Sequence, residues 1–243
     1  MFKLIKADLY KSFHRMYLYI FVAVMAGLAI LYNVILGANG ASREISFGSS
    51  LSLLLFPLYL VFSFADIVTA EENKEHTLKN TISYGISRSK LYIAKNISAI
   101  IVSGFVALVT LAAFFGSGYM LLTPGAGFTT EFLSDYFIRI SIAMLIYIAG
   151  INLGTMLAVL IKKNSLFSLC YIGLLMFPPL VFKLLSLINP IFEKGEFAML
   201  STQIQVIAIV PSSEMMTSVW IALAHIVVFN ILGLIFFKRQ EIN

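Results

Sequence analysis

The chain has 243 residues, of which 60% are hydrophobic and 12% are charged, and its mean hydropathy is +0.94. A soluble domain of this length would not be so apolar, so the composition indicates a membrane protein. The formal net charge of +5 would suggest nucleic-acid binding in a soluble protein. Here most basic residues flank apolar runs, so they indicate topology instead. The single cysteine, Cys170, excludes a disulfide framework and the cysteine metal motifs.

The first sixteen residues predict an amphipathic helix that lies in the plane of the membrane surface. Phe2, Ile5, Leu9, Phe13 and Met16 share one face at helical spacing, and the basic side chains lie elsewhere. A cleaved signal peptide is the alternative, but no small-residue cleavage site follows the first apolar run. We therefore expect an uncleaved interfacial helix before the first span.

Six apolar runs follow, and each is long enough to cross a bilayer at about 20 residues per span. Pro57 should bend span two in its outer half, and Pro178-Pro179 should kink span five sharply or divide it into two half-helices. Before the last span, Leu200 to Val210 is apolar but too short to cross, which predicts a re-entrant or interfacial segment. The predicted fold is therefore all-α, a single membrane domain over residues 1–243. The predicted spans are residues 17–37, 51–70 and 96–123, a run from the 131–139 region to 161, a run from 165, and 215–237, with a polar loop at 39–44.

Span four carries a stripe of small residues. Gly150 and Gly154 form a G-x-x-x-G pair, and Ala158 follows at the next i+4 position. Small residues at this spacing let another helix approach closely. They predict a helix packing face, and only weakly a dimer interface.

Three polar side chains within the apolar runs, Asn152, His225 and Asn230, are candidates for a translocation path. Hydrogen bonding between helices is the simpler interpretation of such groups. A metal site would need several converging ligands, and the sequence offers no such set around His225.

The longest polar stretch, residues 71–95, lies between spans two and three. Its basic residues predict that it lies in the cytoplasm. Residues 77–82 would form one helical turn, Gly85 suits the left-handed residue that ends it, and Ser87 can cap the next helix. So short a helix needs a partner surface, although a solvated loop is an alternative that the residues alone leave open.

With five basic residues here, four at the amino end, two between spans four and five and two at the carboxyl end, both termini are predicted to be cytoplasmic.

This stretch resembles the cytoplasmic loop after the second span of type-2 ABC-transporter permeases. The resemblance is carried by Glu72, Thr77-Leu78-Lys79, Gly85-Ile86-Ser87-Arg88 and Lys95, within a matching six-span pattern with an elbow helix at its start. His76 replaces a more usual glycine, and Gly85 replaces a common proline. In that family the loop is the coupling helix, which sits in a cleft of the ATPase subunit. The resemblance implies that the ATPase contacts are Glu72, Thr77, Leu78, Thr81, Ile82, Tyr84 and Arg88.

The resemblance also implies the function, which is that of the membrane subunit of an ATP-driven exporter. The sequence has no G-x-x-x-x-G-K-[ST] motif, so this chain would not hydrolyse ATP through a P-loop. It would be no enzyme and bind no cofactor or metal, while ATP and Mg would be held by a separate ABC ATPase. Similarity to bacterial permeases for lantibiotic immunity and cytolytic-peptide export implies amphipathic or antimicrobial peptides as cargo. It also implies a bacterial plasma membrane, lipid contact, and two permeases, most simply a homodimer, with two ATPases and no nucleic acid.

Two other functions are alternatives. An ion-coupled secondary transporter usually carries ionisable residues within its spans, but here the polar groups at that depth are mainly neutral. An intramembrane peptidase is suggested by Glu71-Glu72, which resembles the paired glutamates of CAAX-type proteases. The arginine that those proteases need nearby is replaced by His76, and no G-x-S-x-G occurs.

Overall fold

The structure is a computed structural model. It describes residues 1–74, 85–161 and 164–239, and the side chains of these residues except those at 70–74, 164, 165 and 212. Every regular element in this part of the chain is a helix, and six of the helices are long and apolar enough to cross a membrane. The predicted all-α fold with six spans is therefore confirmed.

The six spans of the structure keep the names used for the predicted ones. Among the described residues, three shorter α-helices and the 3₁₀ helix Ser212–Glu214 lie outside them. The α-helices are the N-terminal helix Phe2–Phe13 and the helices Ile191–Phe197 and Leu200–Ile209. In chain order the spans are Met16–Ala38, Arg43–Thr69, Arg88–Leu121, Thr130–Leu160, Leu166–Ser186 and Met216–Arg239.

Span four is the central helix of the bundle. Its most apolar window is 72% buried, against 11% for spans one, five and six. Those three outer spans expose apolar side chains along much of their length. Lipid, rather than water, is the environment in which such surfaces are stable.

Span two begins earlier than predicted, because residues 42–44 start a helix instead of forming a loop. The hydroxyl of Ser42 accepts a hydrogen bond from the backbone N–H of Ile45 at 3.4 Å. Glu44 lies in the first turn, where a negative charge complements the helix dipole. The helix therefore begins at Arg43 and not at Leu51.

Span two is also interrupted near its middle. It runs as Arg43–Ser50, a 3₁₀ turn at Leu51–Leu53, and the helices Leu55–Leu60 and Phe62–Lys74. Pro57 lies in the first turn of the third piece, where its missing N–H leaves no helical bond unmade. The hydroxyl of Tyr147 in span four donates to the carbonyl of Leu54 at 2.8 Å and so satisfies a group at the interruption.

Span five is not divided at its two prolines, so of the two predicted alternatives the half-helices are wrong, while a kink stays a prediction. The helix Asn164–Ser186 contains both Pro178 and Pro179. A proline at 179 removes the backbone donor for the carbonyl of Leu175. The hydroxyl of Ser201, from the helix Leu200–Ile209, donates to that carbonyl at 2.7 Å. A neighbouring helix thus supplies the hydrogen bond that the proline takes away.

The N-terminal helix forms within the predicted residues, and part of its predicted apolar face packs inside the bundle. Leu9 and Phe13 pack against an apolar cluster of spans one to four, and Asp8 is buried beside them. Phe2 is 90% exposed and Met16 is 78% exposed, although the apolar stripe includes them. The interfacial position of this helix and the re-entrant position of Leu200–Ile209 both stay predictions.

Candidate functional site

One end of the bundle, which we call the basic end, brings together the N-terminal helix, the start of span three and the end of span six. Lys95 in span three donates to the Asp8 carboxylate at 2.8 Å. Arg88 donates to the carbonyl of Lys238 at 2.9 Å. Val159, near the end of span four, packs in a small apolar cluster at the same end. The polar stretch 71–95 thus leads into span three at the basic end.

Most of the predicted ATPase contacts lie outside the described residues. These are Thr77, Leu78, Thr81, Ile82 and Tyr84, and with them the predicted helical turn and the side chain of Glu72. Gly85, at the edge of the described part, has a φ of +82°, the left-handed conformation predicted for it. Ser87 occupies the N-cap position without a side-chain capping bond. The helix that follows begins at Arg88, directly after Ser87 as predicted, and runs without a break through Asn96 into span three.

Three side chains at the start of span three form one ridge, because they lie four residues apart. They are Arg88, Tyr92 and Asn96, and we call them the span-three ridge. Each of them contacts span six. The Arg88 guanidinium donates to the carbonyls of Phe237 at 3.5 Å and Lys238 at 2.9 Å. The last carbonyls of a helix lack intrahelical donors and carry partial negative charge, so a cation there stabilises the helix end.

Tyr92, the middle residue of the ridge, packs tightly against Gly233 in span six. Its side chain is fully buried, and its hydroxyl donates to the carbonyl of Phe229 at 3.4 Å. A Cβ atom on Gly233 would lie only 2.0 Å from that hydroxyl oxygen. The absence of a side chain at 233 is therefore what lets spans three and six approach each other at this level.

Asn96 ends the ridge in a cluster of three asparagines. Its amide donates to the side-chain oxygens of Asn152 and Asn230, the latter at 2.8 Å. Asn230 also donates to Asn152 at 2.6 Å. The cluster joins spans three, four and six, and Asn96 and Asn152 are buried. These are hydrogen bonds between helices, while a role of Asn152 and Asn230 in a translocation path stays a prediction.

His225 lies apart from the asparagine cluster. Its Nδ1 is 2.9 Å from the carbonyl of Ile221, one turn back on the same helix. The half-buried ring lines a pocket of about 230 Å³ between spans four, five and six and the helix Leu200–Ile209. The other walls of this pocket are mainly apolar, and they include Met156, Met199 and Phe229. The structure therefore does not bring together all three predicted polar residues of the path.

The small-residue stripe of span four packs inside this chain. A Cβ on Gly150 would lie 2.9 Å from the hydroxyl of Tyr171 in span five, and one on Gly154 would lie 3.4 Å from the backbone of Phe62 in span two. Ala158 is buried as well. The stripe brings spans two and five close to span four, so it is already covered within one subunit.

Lys95 is buried, although it belongs to a polar stretch of the sequence that predicts a side chain in water. The residue is only 3% exposed. Besides Asp8, its ammonium donates to the carbonyl of Val68 in span two at 3.2 Å. A buried charge is stable only when it is paired and hydrogen-bonded, and both conditions are met here. This pair therefore ties the N-terminal helix to spans two and three beside the polar stretch.

Comparison with known families agrees with this arrangement. The family model described as ABC-2 family transporter protein matches residues 4–178, from the N-terminal helix into span five. The chain belongs to this family. The ABC-2 chain is thus a multi-pass membrane protein and the permease subunit of an ABC transporter, as the resemblance predicts. A comparison with curated proteins finds no match.

Membership of the ABC-2 family also identifies the kind of partner. The ATPase is a separate protein in this family, so the permease works with an ABC ATPase subunit. Within the residues that the structure describes, no three His, Cys, Asp or Glu side chains are grouped so that they could hold a metal ion. Neither the ion-coupled transporter nor the peptidase gains support from the family match.

Proposed function

We propose that this ABC-2 permease exports amphipathic or antimicrobial peptides from a bacterial cell, as a homodimer with two ABC ATPases. The observation that supports it most directly is the continuity of the polar stretch with the span-three ridge. A force applied to residues 77–84 acts on a helix whose first residues already hold span six. An exporter that is driven by a cytoplasmic ATPase needs such a connection between its docking loop and its spans.

The proposed orientation places the basic end in the cytoplasm. Most of the lysines and arginines belong to the N-terminal helix, the polar stretch, residues 162–163 and the end of span six. Contacts at the basic end join the N-terminal helix, span three and span six. Basic residues near the ends of spans favour the cytoplasmic side, which is also the side of an ATP-hydrolysing partner.

In the proposed mechanism, closure of the ATPases on ATP pushes the segment from Thr77 to Tyr84 and tilts span three. The ridge carries that motion to span six, because Tyr92 is packed against Gly233 without free space. The Lys95–Asp8 pair carries it to the N-terminal helix, and the helix Phe62–Lys74 carries it to the rest of span two. Packed helices move as units, so the path between two subunits opens toward the outside.

Docking is tested by replacing two apolar residues of the loop. Leu78→Glu together with Ile82→Glu should abolish co-purification of the co-expressed ABC ATPase, because two apolar side chains proposed to contact the ATPase become charged. Membrane insertion should be unchanged, as measured by fractionation and extraction. Arg88 is expected to contribute less to docking, since its guanidinium already contacts span six.

A matched control changes two apolar residues away from the basic end. Leu187→Glu with Ile188→Glu makes the same chemical change at side chains that are 83% and 81% exposed, after span five. This variant should retain the ATPase. Retention of the ATPase by the Leu78 and Ile82 variant at the level of this control would refute the docking assignment.

The peptide cargo is supported by the resemblance and by the apolar composition, which includes 21 Phe and 10 Met. Flexible methionine side chains accommodate varied apolar partners. Cells with and without the gene should differ in growth on a panel of amphipathic toxic peptides, with protection lost in the Leu78 and Ile82 variant. Protection against small hydrophobic drugs alone would contradict peptide cargo.

A further inference from the structure

A second cavity, of about 160 Å³, lies between spans one, two, three and four and is separate from the His225 pocket. Along span three it extends from Ser103 to Leu111. The nine residues from Ser103 to Leu111 span about 12 Å along the helix axis, so the wall of the cavity covers about two turns of span three. The other spans contribute Met25, Pro57 and Ala143 to its wall.

The chemistry of this wall excludes a polar occupant. Its polar groups are the hydroxyls of Ser103, Thr110 and Tyr147. The Tyr147 hydroxyl already donates to the carbonyl of Leu54. A buried water needs two to four polar partners, and a dry apolar cavity of about 150 Å³ binds benzene-sized molecules. The cavity is therefore suited to hydrocarbon.

We propose that this cavity binds the acyl chain of a membrane lipid. Its walls are the middle parts of four membrane spans, and it is partly open, so the hydrocarbon of the bilayer is the apolar material within reach. A wall that extends about 12 Å along the bundle suits an extended chain. An acyl chain also restores the van der Waals contacts that side chains lining a void would lose. The bound chain lies beside the interruption of span two, next to Pro57.

The proposal is tested by photolabelling in lipid nanodiscs. The full chain is reconstituted with a phosphatidylcholine that carries a diazirine in the middle of one acyl chain, irradiated, digested and mapped by mass spectrometry. Labels are expected at Ala107 and Met144, which line the cavity, as well as at Leu108, which is 70% exposed. Labels at Leu108 and other exposed residues without any at Ala107 or Met144 would overturn the proposal.

Two filling variants and one control distinguish the cavity from the outer surface. Ala143→Phe fills the cavity, and Ala107→Leu adds less volume in case the larger side chain is not tolerated. Either change should lower the labelling of Met144 about fivefold relative to that of Leu108. Leu108→Phe on the exposed face should leave Met144 labelled. Equal labelling of Met144 in a folded filling variant and in this control would also overturn the proposal.

A variant at Thr110 distinguishes an occupant held through its hydrocarbon from one held through a hydrogen bond to the Thr110 hydroxyl. This buried oxygen has no hydrogen-bond partner among the described residues. Thr110→Val removes the hydroxyl and keeps the shape, so a hydrocarbon occupant predicts unchanged labelling of Met144. A fivefold loss of label in Thr110→Val would show that the labelled lipid is held through a hydrogen-bond acceptor such as its ester carbonyl and not through its hydrocarbon, and it would overturn the acyl-chain assignment.

Discussion

Gly233→Ala should weaken the contact between spans three and six. The new Cβ would lie 2.0 Å from Oη and 2.4 Å from Cζ of Tyr92, far inside normal contact distance. Tyr92 is fully buried and packs with Phe237, so its ring cannot move aside without displacing the end of span six. Overpacking of this kind costs about 1–3 kcal/mol, and loss of the hydrogen bond to Phe229 adds about 1 kcal/mol.

Thermal unfolding of the detergent-solubilised protein measures this effect. The combined loss of about 2–4 kcal/mol lowers the Tm of a chain of this size by about 4–16 °C. The control is Gly104→Ala in span three, where a Cβ meets no atom within 4 Å. That variant should keep the Tm or raise it slightly, because alanine favours helix more than glycine does. The same Tm for Gly233→Ala and Gly104→Ala would refute the packing argument.

Two further changes test other contacts by the same unfolding measurement. Asp8→Asn should destabilise the protein by about 3–5 kcal/mol, because buried Lys95 loses its charged partner, whereas Asp8→Leu combined with Lys95→Met should recover most of the loss. A double variant less stable than the single one would contradict this account of the pair. Ser201→Ala should cost about 1–3 kcal/mol, since the Leu175 carbonyl loses its side-chain donor. An unchanged Tm would mean that span five tolerates its prolines without that donor.

Features that depend on neighbouring residues could be predicted from the sequence. The six apolar runs are long enough to show the number of spans, and each falls on a helix of the structure. The left-handed conformation of Gly85 follows from its place after a short polar segment. The short helix Leu200–Ile209 likewise follows from an apolar run too short to cross a membrane.

Features that depend on distant residues could not be predicted. Lys95 and Asp8 are 87 positions apart, and Arg88 and Lys238 are 150 apart. Without these partners, the sequence predicts a helix after Ser87 but not that its first turns pack against the N-terminal helix and span six. The single acidic residue of the first sixteen, Asp8, and the four-residue spacing of Arg88, Tyr92 and Asn96 were the available signals.

The effect of the two prolines in span five also depends on a distant residue. Its local effect is to break a helix, which is why half-helices are expected at Pro178-Pro179. The compensating hydroxyl of Ser201 lies 26 positions beyond the carbonyl that it contacts. No local pattern links the two residues, and their pairing depends on the packing of the helix Leu200–Ile209 against span five.

The central claim is that this permease moves its cargo only when a separate ABC ATPase drives it through the polar stretch. The direct measurement is transport of a labelled amphipathic peptide in proteoliposomes that contain the permease with its ATPase or the permease alone. We expect ATP-dependent transport with both proteins, and no transport by the permease alone under an imposed proton or sodium gradient. Gradient-driven transport by the permease alone would contradict it.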